Sequence, residues 1–190
     1  MLLVVGLGNP GPEYARTRHN VGFSALDRLA GDNGITLDQT RFSSRVGRGR
    51  ILGADVLLVQ PRTFMNLSGR AVRAVMDYLK IGLPDLLVLH DDMDIEPGRI
   101  KVAARGGSAG HKGVASIIET LGTDRFGRVK IGIGRPEPGR PAEPWVLGRF
   151  DPEEEPVIEK AIGEAAAAAE AFVSKGLAAA QEIFNRKDND

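Results

Sequence analysis

The 190-residue sequence contains no cysteine, which excludes disulfide bonds, thiolate metal sites and a cysteine nucleophile. It also lacks any run of about 18 apolar residues, the length needed to cross a membrane as a helix. Its apolar N-terminus is short and has no basic leader, unlike a secretory signal. We therefore expect a cytoplasmic protein without membrane association. With three histidines in the chain, few side chains are suited to act as a general base near neutral pH.

The composition is that of an ordinary globular protein, with 42% hydrophobic and 26% charged residues. The length predicts one domain spanning residues 1–190. The net charge of zero conceals an asymmetry. Residues 99–140 contain nine Lys or Arg against three Asp or Glu, a net charge of +6, whereas residues 151–190 contain four against ten, a net charge of −6. The basic middle favours a polyanionic partner, although a solvated charged surface would have the same composition.

Apolar patterns predict alternating strands and helices. Residues 2–7 form a short apolar run bounded by glycine and proline, which is typical of a buried strand. The same reasoning predicts a helix from Val21, which glycines 31 and 34 end, and an antiparallel hairpin of residues 45–52 and 55–60. It also predicts a helix with a buried stripe from Val72 to Leu79, strands at 86–89, 99–104 and 128–133, and a helix after a glycine-rich loop. Two acidic terminal helices, broken at Gly176, are predicted within about 152–185.

This order of elements predicts a single-domain α/β fold with a mixed, twisted β-sheet flanked by helices. Four polar loops separate the elements: residues 9–19, 64–69, 90–94 and 106–113. The three histidines of the chain lie in three of these loops. In α/β proteins, loops that follow strands meet at one edge of the sheet, where ligands bind. We expect these loops to converge on one site.

The first loop matches the dinucleotide-binding pattern G-x-G-x-x-G through Gly6, Gly8 and Gly11. The pattern also requires an acid at the end of the next parallel strand, and none stands out. Pro10 further removes an N–H group from the loop that would cradle a pyrophosphate. The sequence therefore leaves a dinucleotide-dependent enzyme as an alternative and favours a structural turn.

His19 is the leading candidate for a general base. It lies between Arg18 and Asn20, outside any apolar face, and a carboxylate on its second nitrogen would set its tautomer. Asp91 and Asp92 both follow a buried strand, and the residue pattern does not choose between them.

Two other chemistries stay open in the same loops. His90 together with Asp91, Asp92 and Asp94 could bind a metal ion, although no second carboxylate cluster supports them. Ser68 could act as a nucleophile, but its position before a helix is more typical of an N-cap and no G-x-S-x-G surrounds it. Attack by a histidine-activated water is the simplest chemistry that remains.

Two sets of residues are candidates for binding the substrate. Asn9 and Asn66 lie in tight loops, where a side-chain amide can either recognise an amide or ester group or cap a turn. Residues 106–113 place backbone N–H groups and Lys112 at a helix N-terminus, which suits an anion. Four further cations could extend this loop into a phosphate-binding face: Lys101, Arg105, Arg128 and Lys130.

Five blocks of this sequence resemble, in order and spacing, the signature blocks of bacterial peptidyl-tRNA hydrolases: VGLGNPGPEYARTRHNVGF, PRTFMNLSG, HDDMDIEPGRIKV, GGSAGHKGV and RVKIGIGRP. The resemblance implies a monomeric α/β esterase without metal or cofactor, which cleaves the ester between a peptide and the 3′ end of tRNA. A catalytically silent RNA-binding relative is the alternative within the same resemblance.

The resemblance also implies roles for individual residues. His19 resembles the catalytic base, and Asp91 resembles the acid that orients it. Asn9 resembles the residue that recognises the blocked amino end of the substrate. Contacts near the peptide and the tRNA 3′ end are implied for Tyr14, Phe64 and Asn66.

The chain departs from the family pattern in the glycine-rich loop. Lys112 stands where the family usually has asparagine, so a side chain that donates and accepts is replaced by one that only donates and is charged. Arg105 stands where a glycine is usual and adds positive charge. We expect Lys112 to contact a phosphate or the ester carbonyl and to alter how the water is held.

Overall fold

A seven-stranded mixed sheet forms the centre of the structure, a computed structural model that describes residues 1–186. The strand order is β2-β3-β4-β1-β5-β7-β6. Strands β1, β4, β5 and β7 run parallel to their neighbours in this set, and the pairs β2–β3, β3–β4 and β6–β7 are antiparallel. The strands are β1 Leu2–Gly6, β2 Gln39–Arg41, β3 Ser44–Ile51, β4 Ala54–Pro61, β5 Leu86–Asp92, β6 Ile100–Ala103 and β7 Gly127–Gly132.

Helices cover both faces of the sheet. The helices are α1 Val21–Asp32, α2 Ser68–Leu79, α3 Lys112–Leu121, α4 Ala142–Val146, α5 Glu155–Lys175 and α6 Leu177–Phe184. Successive residues of a strand point to opposite faces of the sheet, so the sheet has two cores. Val4, Leu58 and Leu87 pack on the side of α1 and α5, and Leu3, Val59 and Val88 pack on the side of α2 and α3.

The predicted α/β fold is confirmed, including the antiparallel hairpin, which is β3 and β4. The two terminal helices meet at Gly176, whose φ of 83° ends α5. Several details differ from the expectation. Helix α1 continues through Gly31, and β5 continues past Leu89 to Asp92. The short helix α4 was not predicted, and neither was the three-residue strand β2, because its residues, Gln39–Arg41, are polar and exposed. The last four residues of the predicted domain lie outside the described residues.

The topology determines where the site forms. Central strand β1 pairs in parallel with β4 and β5, so the carboxyl ends of all three meet at one edge of the sheet. Helix α1 packs so closely on β1 that a Cβ atom on Gly6 would lie 2.4 Å from the carbonyl oxygen of Gly22. Glycine at position 6 therefore allows the α1 N-terminus, with the turn Arg18–Asn20 before it, to reach the edge where the loops meet.

Edge strand β6 is protected from further pairing by the end of α6. The side chain of Asn185 accepts from the backbone N–H of Val102 and donates to its carbonyl, both at 2.8 Å. This arrangement occupies backbone groups that would otherwise be free to pair with another strand. Within the described residues, no helix combines the length and apolar character needed to cross a membrane.

Candidate active site

A cavity of about 530 Å³ opens at the carboxyl ends of β1, β4 and β5. All four polar loops contribute to its lining. Seven residues for which the sequence analysis expected a catalytic or substrate-binding role line this cavity: Asn9, Tyr14, His19, Phe64, Asn66, Asp91 and Lys112. Residues that are up to 103 positions apart in the chain therefore share one cavity.

His19 and Asp91 are in direct contact at the cavity floor. The Nδ1 atom of His19 lies 2.9 Å from Oδ1 of Asp91 and 3.0 Å from Oδ2, and both residues are buried. A carboxylate can only accept, so Nδ1 carries the proton. The Nε2 atom of His19 is then unprotonated and free to accept a proton, which is the state required of a general base. Asp92 also lines the cavity, but its carboxylate accepts from Lys130 and from the backbone N–H of Asp94, and the acid in contact with His19 is Asp91.

His111 is a second imidazole on the same carboxylate. Its Nε2 atom lies 2.9 Å from Oδ1 of Asp91. Its Nδ1 atom accepts from the backbone N–H groups of Gly113 and Val114, at 3.1 and 3.2 Å, and so caps helix α3. Because Nδ1 accepts two hydrogen bonds, the proton of the neutral ring must lie on Nε2, which donates to Asp91. The start of α3 thus sets the tautomer of His111.

The charge state of the cluster follows from these contacts. Burial by itself raises the pKa of Asp91, but the charge and hydrogen bonds of His111 and His19 oppose it, and the net pKa lies well below the ordinary carboxyl value. Asp91 is therefore ionised. His90 lies behind the cluster and donates from Nδ1 to the carbonyl of Asp91 at 2.7 Å. The pKa of His90 lies well below 6.5, first because the residue is buried and second because His111 is nearby. His90 is neutral in the folded protein.

Asn9 is held in place by two neighbours. Its backbone N–H donates to the side chain of Asn20 at 2.9 Å, and the Asn20 amide donates back to its carbonyl at 3.0 Å. Its own side-chain oxygen accepts from the backbone N–H of Met65 at 3.0 Å. This last bond joins the first polar loop to the second, and it orients the Asn9 side chain so that its amide N–H groups are left for a ligand.

Arg18 fastens one wall of the cavity to the turn that carries His19. Its guanidinium donates to the carbonyl of Arg149 and, at 2.7 Å, to Glu154, and it stacks 3.7 Å from the ring centre of Trp145. The segment from α4 to Phe150, which lines the cavity with Ala142 and Val146, is therefore anchored beside His19. Arg18 is buried and the Glu154 side chain is 25% exposed, so this ion pair is partly shielded from solvent.

The remaining expected substrate contacts lie at the cavity rim. Phe64 is 60% exposed although it is a large apolar residue, and Asn66 is also exposed. The Lys112 side chain is 60% exposed and its Nζ atom lies 3.4 Å from a carboxylate oxygen of Glu143 on α4. Lys112 thus points toward the opposite wall of the cavity mouth.

The four expected phosphate contacts do not share one environment. Lys101 and Arg105 are exposed. The expectation for Arg128 is wrong: the residue is fully buried, donates to the carbonyls of Gly107 and Asp124, and lies 4.4 Å from the ring centre of Phe126. Arg128 supports the glycine-rich loop from beneath. Lys130 is largely buried and pairs with Asp92 at 3.0 Å, so its charge is already paired within the protein.

The metal site considered at His90, Asp91, Asp92 and Asp94 is not formed within the described residues. Asp92 accepts from the backbone N–H of Asp94 and from Lys130, and Asp94 pairs with Arg135. Within residues 1–186 the three side chains near enough to share an ion are His19, Asp91 and His111. There both imidazoles already donate to Oδ1 of Asp91, so that oxygen occupies the point on which their nitrogens converge.

Two further motifs have structural roles. Ser68 is the first residue of α2 and its hydroxyl donates to the carbonyl of Met65 at 2.8 Å, so it is neither an N-cap nor part of the cavity lining. After G-x-G-x-x-G the chain forms turns, and α1 begins only at Val21. In the dinucleotide fold the helix starts within the motif, so the loop here lacks that phosphate-binding geometry. A Cβ atom on Gly8 would meet the ring of Phe23 at 2.6 Å, which explains this glycine by packing.

Sequence reasoning missed the roles of His111, Asn20 and Arg18. One signal was available for His111: a polar residue directly before an apolar helical pattern is typical of an N-cap. The contact with Asp91 had no local signal, because the two residues are 20 positions apart and meet only in the folded chain.

Comparison with known proteins shows the family of this chain. The family model described as peptidyl-tRNA hydrolase matches residues 3–190. A peptidyl-tRNA hydrolase of Syntrophomonas wolfei is 48% identical over 185 residues, 97% of this chain and all of the relative, and that of Bacillus subtilis is 46% identical over 187 residues, 98% of this chain and all of the relative. The crystal structure of peptidyl-tRNA hydrolase from Acinetobacter baumannii superposes with a TM-score of 0.92 at 38% identity, covering 97% of this chain and 94% of that one. The chain therefore belongs to the peptidyl-tRNA hydrolase family.

Proposed function

We propose that this chain hydrolyses the ester between a peptide and tRNA, with His19 as the general base that activates water. Family membership supports the reaction. The observation that carries the mechanism is the contact of His19 Nδ1 with Asp91, which leaves His19 Nε2 as a free acceptor at the floor of the cavity.

The reaction needs two proton transfers. His19 Nε2 takes a proton from a water molecule as its oxygen attacks the ester carbonyl, giving a tetrahedral intermediate and an imidazolium. The ionised Asp91 stabilises this imidazolium. When the intermediate collapses, the bond to the ribose oxygen breaks and His19 returns the proton to that oxygen. The products are a peptide carboxylic acid and a tRNA with a free 3′-terminal ribose.

The cavity provides candidates for the other roles. The Asn66 amide and backbone N–H groups of the loops are candidates to stabilise the developing oxyanion. The amide N–H groups of Asn9 are positioned to bind a carbonyl of the peptide, and exposed Phe64 offers a surface for apolar contact. Exposed Lys101 and Arg105 are proposed to contact tRNA phosphates beyond the cavity.

We further propose that the protein acts as a monomer, as the family resemblance implies. Sedimentation at the concentrations of the activity assay would test this point. A dimer whose dissociation abolished turnover would contradict it.

The deciding experiment is cleavage of a peptidyl-tRNA by the wild type and by His19→Ala. We expect the variant to lose at least 10³-fold in kcat, which is about 4 kcal/mol of transition-state stabilisation. Binding of uncleaved peptidyl-tRNA should remain within a few-fold of wild type. Near-normal turnover by His19→Ala would reject the mechanism. A wild type that binds tRNA but never cleaves it would instead support the catalytically silent alternative.

A further inference from the structure

The hairpin side of the molecule carries a second concentration of positive charge. Residues 39–80 contain eight Lys or Arg and two Asp or Glu, a net charge of +6. Both acids are already engaged: Asp55 pairs with Arg50 at 3.2 Å, and Asp77 pairs with Arg73 at 2.8 Å. Among the described residues, Arg41, Arg48 and Arg70 have no salt-bridge partner, and all three are exposed. This surface has charge to offer a polyanion.

The strand register places Arg41 and Arg48 on one face of the sheet, the face that is covered by α2, which carries Arg70. Arg48 lies opposite Leu57, whose side chain packs in the core beneath α2 and α3. Arg41 lies opposite Ser44, two residues before Val46 of the same core. Arg41 and Arg48 therefore project on the α2 side, and Arg41 reaches the exposed surface of α2, where it contacts Tyr78.

An aromatic group lies among the cations. Tyr78 is 61% exposed, its ring centre is 5.2 Å from that of Phe42, and the guanidinium of Arg41 lies 5.2 Å from it. Phe42 sits in the two-residue turn between β2 and β3 with φ of 52° and packs against the core, so it supports Tyr78 from below. An exposed aromatic ring beside arginine is the combination that stacks on nucleic-acid bases or packs on a ribose-phosphate backbone.

The cations of residues 39–80 and the cations that follow residue 99 lie on opposite sides of the cavity. Lys101 lies directly opposite Lys130, on the side of the sheet that α2 and α3 cover, so both basic regions share this face. Strands β2 and β6 are the two edges of the seven-stranded sheet, which puts them roughly 29 Å apart at about 4.8 Å per strand. A tRNA with its 3′ end in the central cavity is wide enough to extend toward either edge.

We propose that Arg41, Arg48, Arg70 and Tyr78, here called the hairpin surface, bind the RNA of the substrate away from the ester. This inference rests on the proposed function, because the substrate is taken to be peptidyl-tRNA. Arg48 and Arg70 neutralise phosphates, and Tyr78 with Arg41 packs against the nucleotide that lies between them. The hairpin surface contributes to substrate affinity and takes no part in the chemistry at His19.

The test compares two substrates. One is intact peptidyl-tRNA, and the other is the same peptide esterified to a short oligonucleotide ending in CCA, which has no tRNA body. For the triple variant Arg41→Gln, Arg48→Gln, Arg70→Gln we expect KM for intact peptidyl-tRNA to rise at least ten-fold at 0.15 M salt. The slope of log KM against log salt should fall by two to three, about 0.9 for each lost phosphate contact. The short substrate should keep its kcat and KM. Tyr78→Ala should raise KM for the intact substrate with little change in the salt slope.

A matched control removes three cations on the other side of the molecule: Arg28→Gln, Lys160→Gln, Lys175→Gln, on α1 and α5. Its net charge equals that of the hairpin variant, and its KM should rise less than two-fold. Equal losses in the control and the hairpin variant, equal losses on both substrates, or no loss at all would each overturn the proposal.

The outcome is separable from the proposed function. His19→Ala tests the chemistry on either substrate, whereas the hairpin surface can be tested without turnover by filter binding of deacylated tRNA. If no cleavage were found, weaker tRNA binding by the hairpin variant than by its control would still support this surface, and equal binding would refute it.

Discussion

The Nε2 atom of His111 lies 2.9 Å from Oδ1 of Asp91, the same oxygen that faces Nδ1 of His19 at 2.9 Å. The N-terminus of α3 fixes the direction of the first of these bonds, because its N–H groups occupy the other nitrogen of His111. The orientation of Asp91, and through it the tautomer of His19, is therefore tied to the start of a helix.

His111→Asn and His111→Gln should separate orientation from capping. Asparagine is a good N-cap but is too short to reach Asp91, so kcat should fall about 10- to 100-fold, the worth of a hydrogen bond to a charged group. Glutamine can reach the carboxylate but caps poorly, so it should keep more of kcat and lower the free energy of unfolding by about 1 kcal/mol. Steady-state kinetics and urea denaturation measure the two effects. Wild-type kcat in His111→Asn would remove His111 from the mechanism.

Asp91→Asn should impose the wrong tautomer on His19. His111 must still donate from Nε2, so the asparagine oxygen turns toward it and the asparagine NH₂ faces Nδ1 of His19. This NH₂ group, in the place of Oδ2 at 3.0 Å, favours the tautomer in which Nδ1 accepts and Nε2 carries the proton, and the lost carboxylate charge no longer stabilises the imidazolium. A comparable change in a serine protease costs about 10⁴-fold in kcat, and we expect a loss of 10³- to 10⁴-fold here. Nitrogen-15 NMR of the imidazole reports the tautomer. A variant that keeps a tenth of the wild-type kcat would contradict this reading.

His90 should make the fold less stable in mild acid. Folding holds it neutral because burial lowers its pKa well below 6.5, whereas in the unfolded chain it takes up a proton near that pH. The unfolded state thus binds more protons as pH falls, and the free energy of unfolding decreases. Between pH 7.5 and 5.5 this single group should account for about 1.4 kcal/mol.

Urea denaturation of wild type and His90→Leu at the two pH values measures this contribution. The variant should lose about 1.4 kcal/mol less than wild type over the interval, whatever its absolute stability. Identical pH dependence in the two proteins would show that His90 does not titrate in this way.

Lys112→Asn restores the residue usual in the family and should have little effect on kcat, within about three-fold. The lysine is 60% exposed and its pair with Glu143 is open to solvent, a type of contact worth at most about 1 kcal/mol. KM should rise, most strongly at low salt, because a cation at the cavity mouth attracts RNA. Glu143→Gln breaks the same pair but adds positive charge, so its KM should fall. A ten-fold gain in kcat for Lys112→Asn would mean that lysine hinders the chemistry.

Arg18→Lys should weaken the cavity wall. Lysine cannot stack flat on Trp145 while bonding both Arg149 and Glu154, so the free energy of unfolding should fall by about 2–3 kcal/mol. Below the unfolding transition, KM should rise because the α4 segment lining the cavity is loosened, with a smaller change in kcat. Glu154→Gln retains an acceptor and should cost about 1 kcal/mol. Unchanged KM in well-folded Arg18→Lys would limit Arg18 to a role in stability.

The candidate site could be predicted in part. His19 stood out as a proton acceptor outside any apolar face, Asn9 and Asn66 stood out as amides in tight loops, and the family resemblance selected Asp91 over Asp92. The basic stretch after residue 99 was visible as charge, but Arg128 within it proved to be buried. A residue's charge is written in the sequence, whereas its exposure depends on what packs above it, here the glycine-rich loop and Phe126.

The amino-acid sequence by itself indicated most of the strands and helices and their order, because the spacing of apolar residues reflects the local geometry of each element. It also indicated the family and the residue proposed as the base. The tertiary structure alone decided that His111 completes the cluster, that Arg18 anchors the α4 wall, and that the cations of the hairpin share a face with Lys101. Each of these depends on contacts or strand registers between segments far apart in the chain. Such contacts produce no periodic pattern in the sequence of the residues that make them.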